Sequence, residues 1–246
     1  PPRAEYIRVI TSELNRISSH LLWLGAFLLD LGAFTPILYT FDDRENILDI
    51  LEDVTGARLT YCYFRVGGVC RDVDERFVDA TRTFVRRLRS RFPLYEKLVT
   101  SNIIFIKRVQ DIARFTPDMA LRYGVTGPIL RGTGVNYDIR RNEPYSVYPE
   151  LEFDIPVGET GDCMDVYLVR VREMEQSLRI IEQALERLPD GPFRVKVPRR
   201  LKLPRGDVSF SVESARGALA YYLVRDGGAV PDRLKEIGSA SVRERG

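Results

Sequence analysis

The 246 residues hold one histidine and three cysteines. Cys62, Cys70 and Cys163 are odd in number and none stands in a CxxC spacing, which argues against a disulfide framework and against a metal cluster held by this chain. A single imidazole leaves almost no soft ligand for zinc or iron. Long apolar runs are also missing. The densest, residues 25–31, falls far short of the roughly 20 residues that cross a bilayer. Neither sign of charge is in excess, with 37 Lys and Arg against 35 Asp and Glu, so composition points to no polyanionic partner. The arginines at 82, 86, 87, 89 and 91 lack interleaved aromatics and read as a solvated face or a subunit contact, not a nucleic-acid patch.

What is present fits a soluble globular protein: 44% hydrophobic and 29% charged residues, enough chain for one large domain or two small ones. The opening PPRAE reads as the first turn of a helix with proline at its start, and with no initiator Met it resembles an excised beginning. Residues 6–30 carry Ile7, Ile10, Leu14, Ile17, Leu21, Leu24 and Leu28 at spacings of three and four, one apolar stripe of a long helix. Beside it runs a second stripe of Glu13, Arg16, His20, Trp23, Phe27 and Asp30. Apolar residues on more than one side between 21 and 31 predict a buried helix end. A carboxylate there, Asp30, is then expected to be paired, protonated or at a wet cavity. Ten residues separate His20 from Asp30 by about 15 Å along the axis and about 80° around it, so they share a side without touching. Both readings stand on residue types alone: ordinary core partners, or a functional buried side.

Further along, residues 44–55 are predicted as a helix capped by Asp42 or Asp43 and closed by Gly56, and 59–69 as a strand that includes Arg65. Residues 74–98 read as a helical pair. The segment 103–109 is either a short strand or a helix start, and 116–123 a short helix. The glycine-rich run 125–141, flanked by Arg131, Arg140 and Arg141, reads as a packed turn system that permits close backbone approach. It has no Walker lysine to support a phosphate loop. Residues 161–188 form the longest clean helix, with Met164, Leu168, Val171, Leu178, Ile181, Leu185 and Leu188 on one stripe and its charged residues around them. A hairpin with a four-residue connection at 214–217 follows, and the chain beyond Asp226 is expected to fray. The fold class is therefore α+β, predominantly helical, with a helical core over 1–191, a linker over 192–206 and a small β-hairpin region over 207–246. The helix ending at Asp30 is expected to pack on the helix of 161–188.

Five stretches carry a resemblance: PPRAEYIRVITSELNRISSHLLWLGAFLLDLGAFTP, ENILDILEDVTGARLTYCYFRVGGV, GVTGPILRGTGVNYDIRR, FDIPVGETGDCMDVYLVRVREMEQSLRIIEQALERLPDGP and VESARGALAYYLVRDGG. Together these resemble the 49-kDa or D subunit family of respiratory complex I, which is related to the large subunit of nickel-iron hydrogenases. The paired CxxC motifs of hydrogenases are absent, which favours the quinone-reducing branch. The resemblance implies a hydrogenase-like helical core. It also implies a peripheral subunit on the cytoplasmic side of the inner membrane that takes quinone as substrate. Its partners would be a small subunit carrying the terminal [4Fe-4S] cluster, the other peripheral-arm subunits and a membrane arm, and the assembly would use NADH. Carried over by motif, Asp30 would stand behind the quinone headgroup and pair with a histidine that binds it, His20 would face the cluster, and Arg65 would neighbour the site. The resemblance also implies parts not found here: an N-terminal sheet with its headgroup histidine and tyrosine, an acid where Ala218 stands, and a different ending. The chain thus reads as a truncated or rearranged member, expected to be inactive alone. The alternatives are an inactive scaffold or assembly fragment, or a subunit of a ferredoxin-linked relative.

Overall fold

A computed structural model of the protein describes residues 1–198, 205–227 and 230–238. Helix α1 (Pro2–Asp30) begins on Pro2, where a missing N–H costs nothing, and runs for 29 residues. Its apolar stripe is fully enclosed, with Ile7, Ile10, Leu14, Ile17, Leu21 and Leu24 at 0% exposure. Helix α2 (Thr35–Thr55) starts earlier than expected, because Pro36 serves its first turn and Gly56 closes it at φ 83°. Asp42 and Asp43 are thus mid-helix, not caps. Asp43 is buried and accepts from the Tyr95 hydroxyl at 2.5 Å, while Asp42 pairs with Arg87 and Arg91 at 2.6 and 2.8 Å.

The strand expected over 59–69 is only a tight hairpin, β1 (Phe64–Arg65) against β2 (Gly68–Val69). Gly67 at φ 87° and Gly68 at φ 150° turn the chain before a longer strand can form. Helix α3 (Glu75–Tyr95) is one helix, not a pair. Asp74 caps it, Pro93 lies inside it, and it runs on into a π turn, Glu96–Thr100. Short helices follow: α4 (Ile103–Val109), α5 (Pro117–Arg122), α6 (Gly127–Gly132) and α7 (Ile139–Asn142). Helix α8 (Cys163–Glu186) starts on Asp162, whose carboxylate accepts from the Asp165 amide.

Helix α1 packs on α2 along one side and on α8 along another, as the two stripes require. The buried face of α8 is rotated from the one expected. Met164, Leu168, Val171 and Leu188 are half-buried, whereas Tyr167, Arg170, Glu173 and Ser177 face inward with Leu178 and Ile181. A three-stranded antiparallel sheet, β3 (Gly206–Ser214), β4 (Gly217–Arg225) and β5 (Arg233–Ile237), completes the fold. Ser214 pairs with Gly217, so the connection is two residues, not four. The stretch expected to fray after Asp226 contains β5. Of the expected linker, Phe193 to Val195 is tied to the β1–β2 hairpin through Val69 N–H to Phe193 O and Val195 N–H to Gly67 O. Residues 199–204 of that linker and 239–246 of the expected frayed end lie outside the described residues. No described helix is long and apolar enough to cross a membrane.

Candidate functional site

The second stripe of α1 opens into a cluster of charges almost wholly withdrawn from solvent. Glu13, Arg16 and His20 on α1 meet Arg131 on α6, Asp138 and Arg140 at α7, Glu173 on α8 and Glu213 on β3, and none is more than 4% exposed. The chain builds this meeting with two glycines. Gly127 (φ 68°) and Gly217 (φ 131°) pack backbone to backbone, which brings α6 against the β3–β4 turn and Arg131 onto Glu213.

Each carboxylate has its own set of donors. Glu13 accepts from Arg16 at 3.1 Å, Arg140 at 3.1 Å, the Tyr148 hydroxyl at 2.7 Å and the Ser177 hydroxyl at 2.7 Å. Burial alone would raise its carboxyl, yet the two arginines and two hydroxyls hold it down at about 2. Asp138 takes Arg140 Nε at 3.0 Å and Nη2 at 2.7 Å. Glu173 takes Arg131 Nε at 2.8 Å and His20 Nε2 at 2.9 Å. Burial would raise Glu173, but Arg131 and His20 hold it well below the usual carboxylate range.

An ionised Glu173 fixes the imidazole tautomer. His20 Nε2 carries the hydrogen and donates it, and Nδ1 has no hydrogen-bond partner. Burial lowers the His20 pKa to about 4 against the opposing pull of Glu173. The imidazole is therefore neutral at physiological pH. Arg170, stacked 4.5 Å from the Trp23 ring centre, is the next cation outward, and burial brings it down to about 10.

On one side the cluster meets a cavity of about 460 Å³, whose wall includes Arg16, Tyr148 and Glu213 together with Phe64, Tyr145 and Phe210. The other two expected site residues, Asp30 and Arg65, stand elsewhere. Asp30 is exposed at the end of α1, with Leu29 beside it 42% exposed, so the helix end is open to solvent and not buried as its sequence suggests. The apolar faces of residues 21–31 exceed what α2 and α8 can cover. Arg65 lies half-buried on the β1–β2 hairpin, donating to Cys62 Sγ at 2.8 Å and to Phe64 O at 3.2 Å. The structure thus brings His20 into the cluster and leaves Asp30 and Arg65 outside it. Ala218, where the resemblance expects an acid, stands opposite Glu213 in the hairpin register.

Sequence reasoning missed that Arg131, Asp138, Arg140, Glu173 and Glu213 join His20 in one cluster, with Glu173 its direct partner. Only α8 offered a signal, since Arg170, Glu173 and Ser177 fall at helical spacing between Tyr167 and Ile181. Among the described residues no group of three or more His, Cys, Asp or Glu is placed to hold a metal ion. All three cysteines are free.

Residues 30–242 match the family described as respiratory-chain NADH dehydrogenase, 49 Kd subunit. The chain is 61% identical over 234 residues to the D subunit of NADH-quinone oxidoreductase from Syntrophobacter fumaroxidans, covering 95% of this chain and 63% of that protein. It is 56% identical to the D subunit from Desulfotalea psychrophila, covering 96% and 63%. Against the D subunit from Geobacillus thermodenitrificans it is 48% identical, covering 96% and 64%. The chain thus spans somewhat under two thirds of the length of these relatives.

Proposed function

The chain belongs to the family of the 49-kDa subunit of respiratory-chain NADH dehydrogenase, and from that premise we propose that it forms part of the quinone-reduction pocket of a proton-translocating NADH:quinone oxidoreductase. The identity of 61% across 95% of the chain to a protein of that name carries the reading. In this proposal electrons arrive from a [4Fe-4S] cluster on a neighbouring small subunit, and this chain supplies walls and charges. The chain sits peripherally on the cytoplasmic side of a membrane arm, with its hydrogenase-like helical core over 1–191 and the hairpin region of 207–246 at its edge.

Asp30 is the residue we assign to the headgroup side. It is an acid at the free end of a long helix, next to exposed Leu29 and near exposed Phe34. Such an apolar rim around a charge suits a surface closed by another subunit. A carboxylate there would orient and charge a histidine that hydrogen-bonds the quinone, whose two-electron reduction takes up two protons. His20 would act from behind, through Glu173, and Arg65 would neighbour the pocket from the hairpin.

In the assembled complex, Asp30→Asn is expected to lower quinone reductase activity while NADH oxidation by an artificial acceptor survives. Loss of one charge-assisted hydrogen bond, roughly 1.5–3 kcal/mol, would slow the step about 10- to 150-fold if all of it entered the barrier. Equal quinone reductase rates at matched assembly would remove Asp30 from the site.

A further inference from the structure

Among the described residues, four carboxylates lie in the buried cluster, and the arginines do not serve them equally. Glu13 has two guanidinium groups and two hydroxyls. Asp138 has the forked grip of Arg140 and the Arg140 amide at 2.9 Å. Glu173 has Arg131 Nε and His20. Glu213 has one nitrogen, Arg131 Nη1 at 2.9 Å, and the Ile139 amide at 3.3 Å. That nitrogen also donates to Tyr137 O at 3.0 Å and lies 3.5 Å from Asp138. Arg16, the other cation nearby, turns away from the Glu213 carboxyl and donates to the carbonyls of Glu213 and Ser214 at 2.6 and 2.9 Å.

One guanidinium thus faces three carboxylates: Arg131 sets two nitrogens against Glu173 and one against Glu213, while Asp138 is served by Arg140. A buried carboxylate left with one shared guanidinium nitrogen and one amide takes up a proton more readily than its better-supplied neighbours.

We propose that Glu213 is a carboxylic acid at neutral pH, the site where the buried cluster stores one proton beside the cavity. This goes beyond the quinone-pocket reading and stands without it. The groups facing Glu213 are Arg131 from α6, Asp138 and the Ile139 amide from α7, Arg16 from α1 and the Tyr145 hydroxyl, which accepts from the Glu213 amide at 3.3 Å. Burial and Asp138 push its pKa up, and Arg131 and Arg16 oppose them. The proton has a route to solvent, because Glu213 lines the cavity wall. No bond other than O–H forms or breaks.

The test compares Glu213→Gln with Glu173→Gln in the full 246-residue chain at pH 7, by infrared spectroscopy and thermal unfolding. The wild-type spectrum is expected to show a protonated-carboxyl C=O band that shifts in D2O and is absent from Glu213→Gln. Glutamine mimics the neutral acid, so Glu213→Gln should unfold at or above the wild-type temperature, while Glu173→Gln, which removes an ionised partner of Arg131, should unfold well below it. A missing band, a band that persists in Glu213→Gln, or a Glu213→Gln variant as unstable as Glu173→Gln would each overturn the proposal.

Discussion

His20 is the only histidine, which turns its protonation into a clean measurement. In the folded protein its pKa is lowered to about 4 from an ordinary value of 6.5. Between those two values the unfolded chain binds a proton that the folded chain refuses. His20 therefore contributes stability that is present above about pH 6.5 and is lost as pH falls toward 4. Each pH unit between the two values is worth about 1.36 kcal/mol. From pH 7 to pH 5 the loss amounts to about 2 kcal/mol, because only part of the window is crossed.

The perturbation is His20→Gln, whose amide can still donate to Glu173. The observable is the difference in unfolding free energy between wild type and variant at the two pH values, so that contributions of other groups cancel to first order. The advantage of wild type should shrink by about 2 kcal/mol at pH 5. The single imidazole C2–H resonance should titrate near pH 4 in the folded protein. A resonance that titrates at or above pH 6.5, or a wild-type advantage that does not change with pH, would refute the account of a neutral, burial-dominated His20.

Glu173→Gln should destabilise the fold by about 3 kcal/mol at pH 7, the low end for breaking a buried charge pair, read by denaturant titration at constant m-value. Gly217→Ala would place a Cβ 2.5 Å from Thr126 Oγ1 at φ 131°. It should cost about 1–3 kcal/mol and, by lifting the hairpin from α6, loosen the Arg131–Glu213 pair, visible as faster amide exchange in β3.

The helical scaffold was readable because burial and periodicity agree there. Ile7 to Leu28 on α1, the Asp162 cap of α8 and the α1–α8 contact all follow from spacing and capping residues. Boundaries failed where one residue outweighs a window. Pro36 starts α2 a full two turns before the acids that looked like caps, and Gly67 and Gly68 cut a plausible strand to two residues. The cluster was legible only on its α1 side. Glu13, Arg16 and His20 fall on one helical stripe, but their partners come from residues more than a hundred positions away, and nothing local marks Arg131, Asp138 or Glu213 as buried. Asp30 misled for the opposite reason: an apolar neighbourhood in sequence became an exposed helix end, because the covering surface is not supplied by the described residues.

Burying so many charges is an expensive way to hold helices together, since well-packed apolar side chains of similar volume are often as stable or more so. What the cluster adds is registration. Arg131 touches Glu173 on α8 and Glu213 on β3, Glu13 joins α1 to α7 through Arg140 and to α8 through Ser177, and Arg16 holds the β3 backbone. A sheet that slid along α1 by one residue would leave Arg16 without its two carbonyls and Glu213 on the wrong face of the strand. The same contacts couple the cavity to His20. Among the described residues, Arg131 is the group that touches both Glu213 at the cavity wall and Glu173 beside the imidazole. Two side chains, Arg131 and Glu173, thus tie the cavity wall to an imidazole that has no contact of its own with solvent.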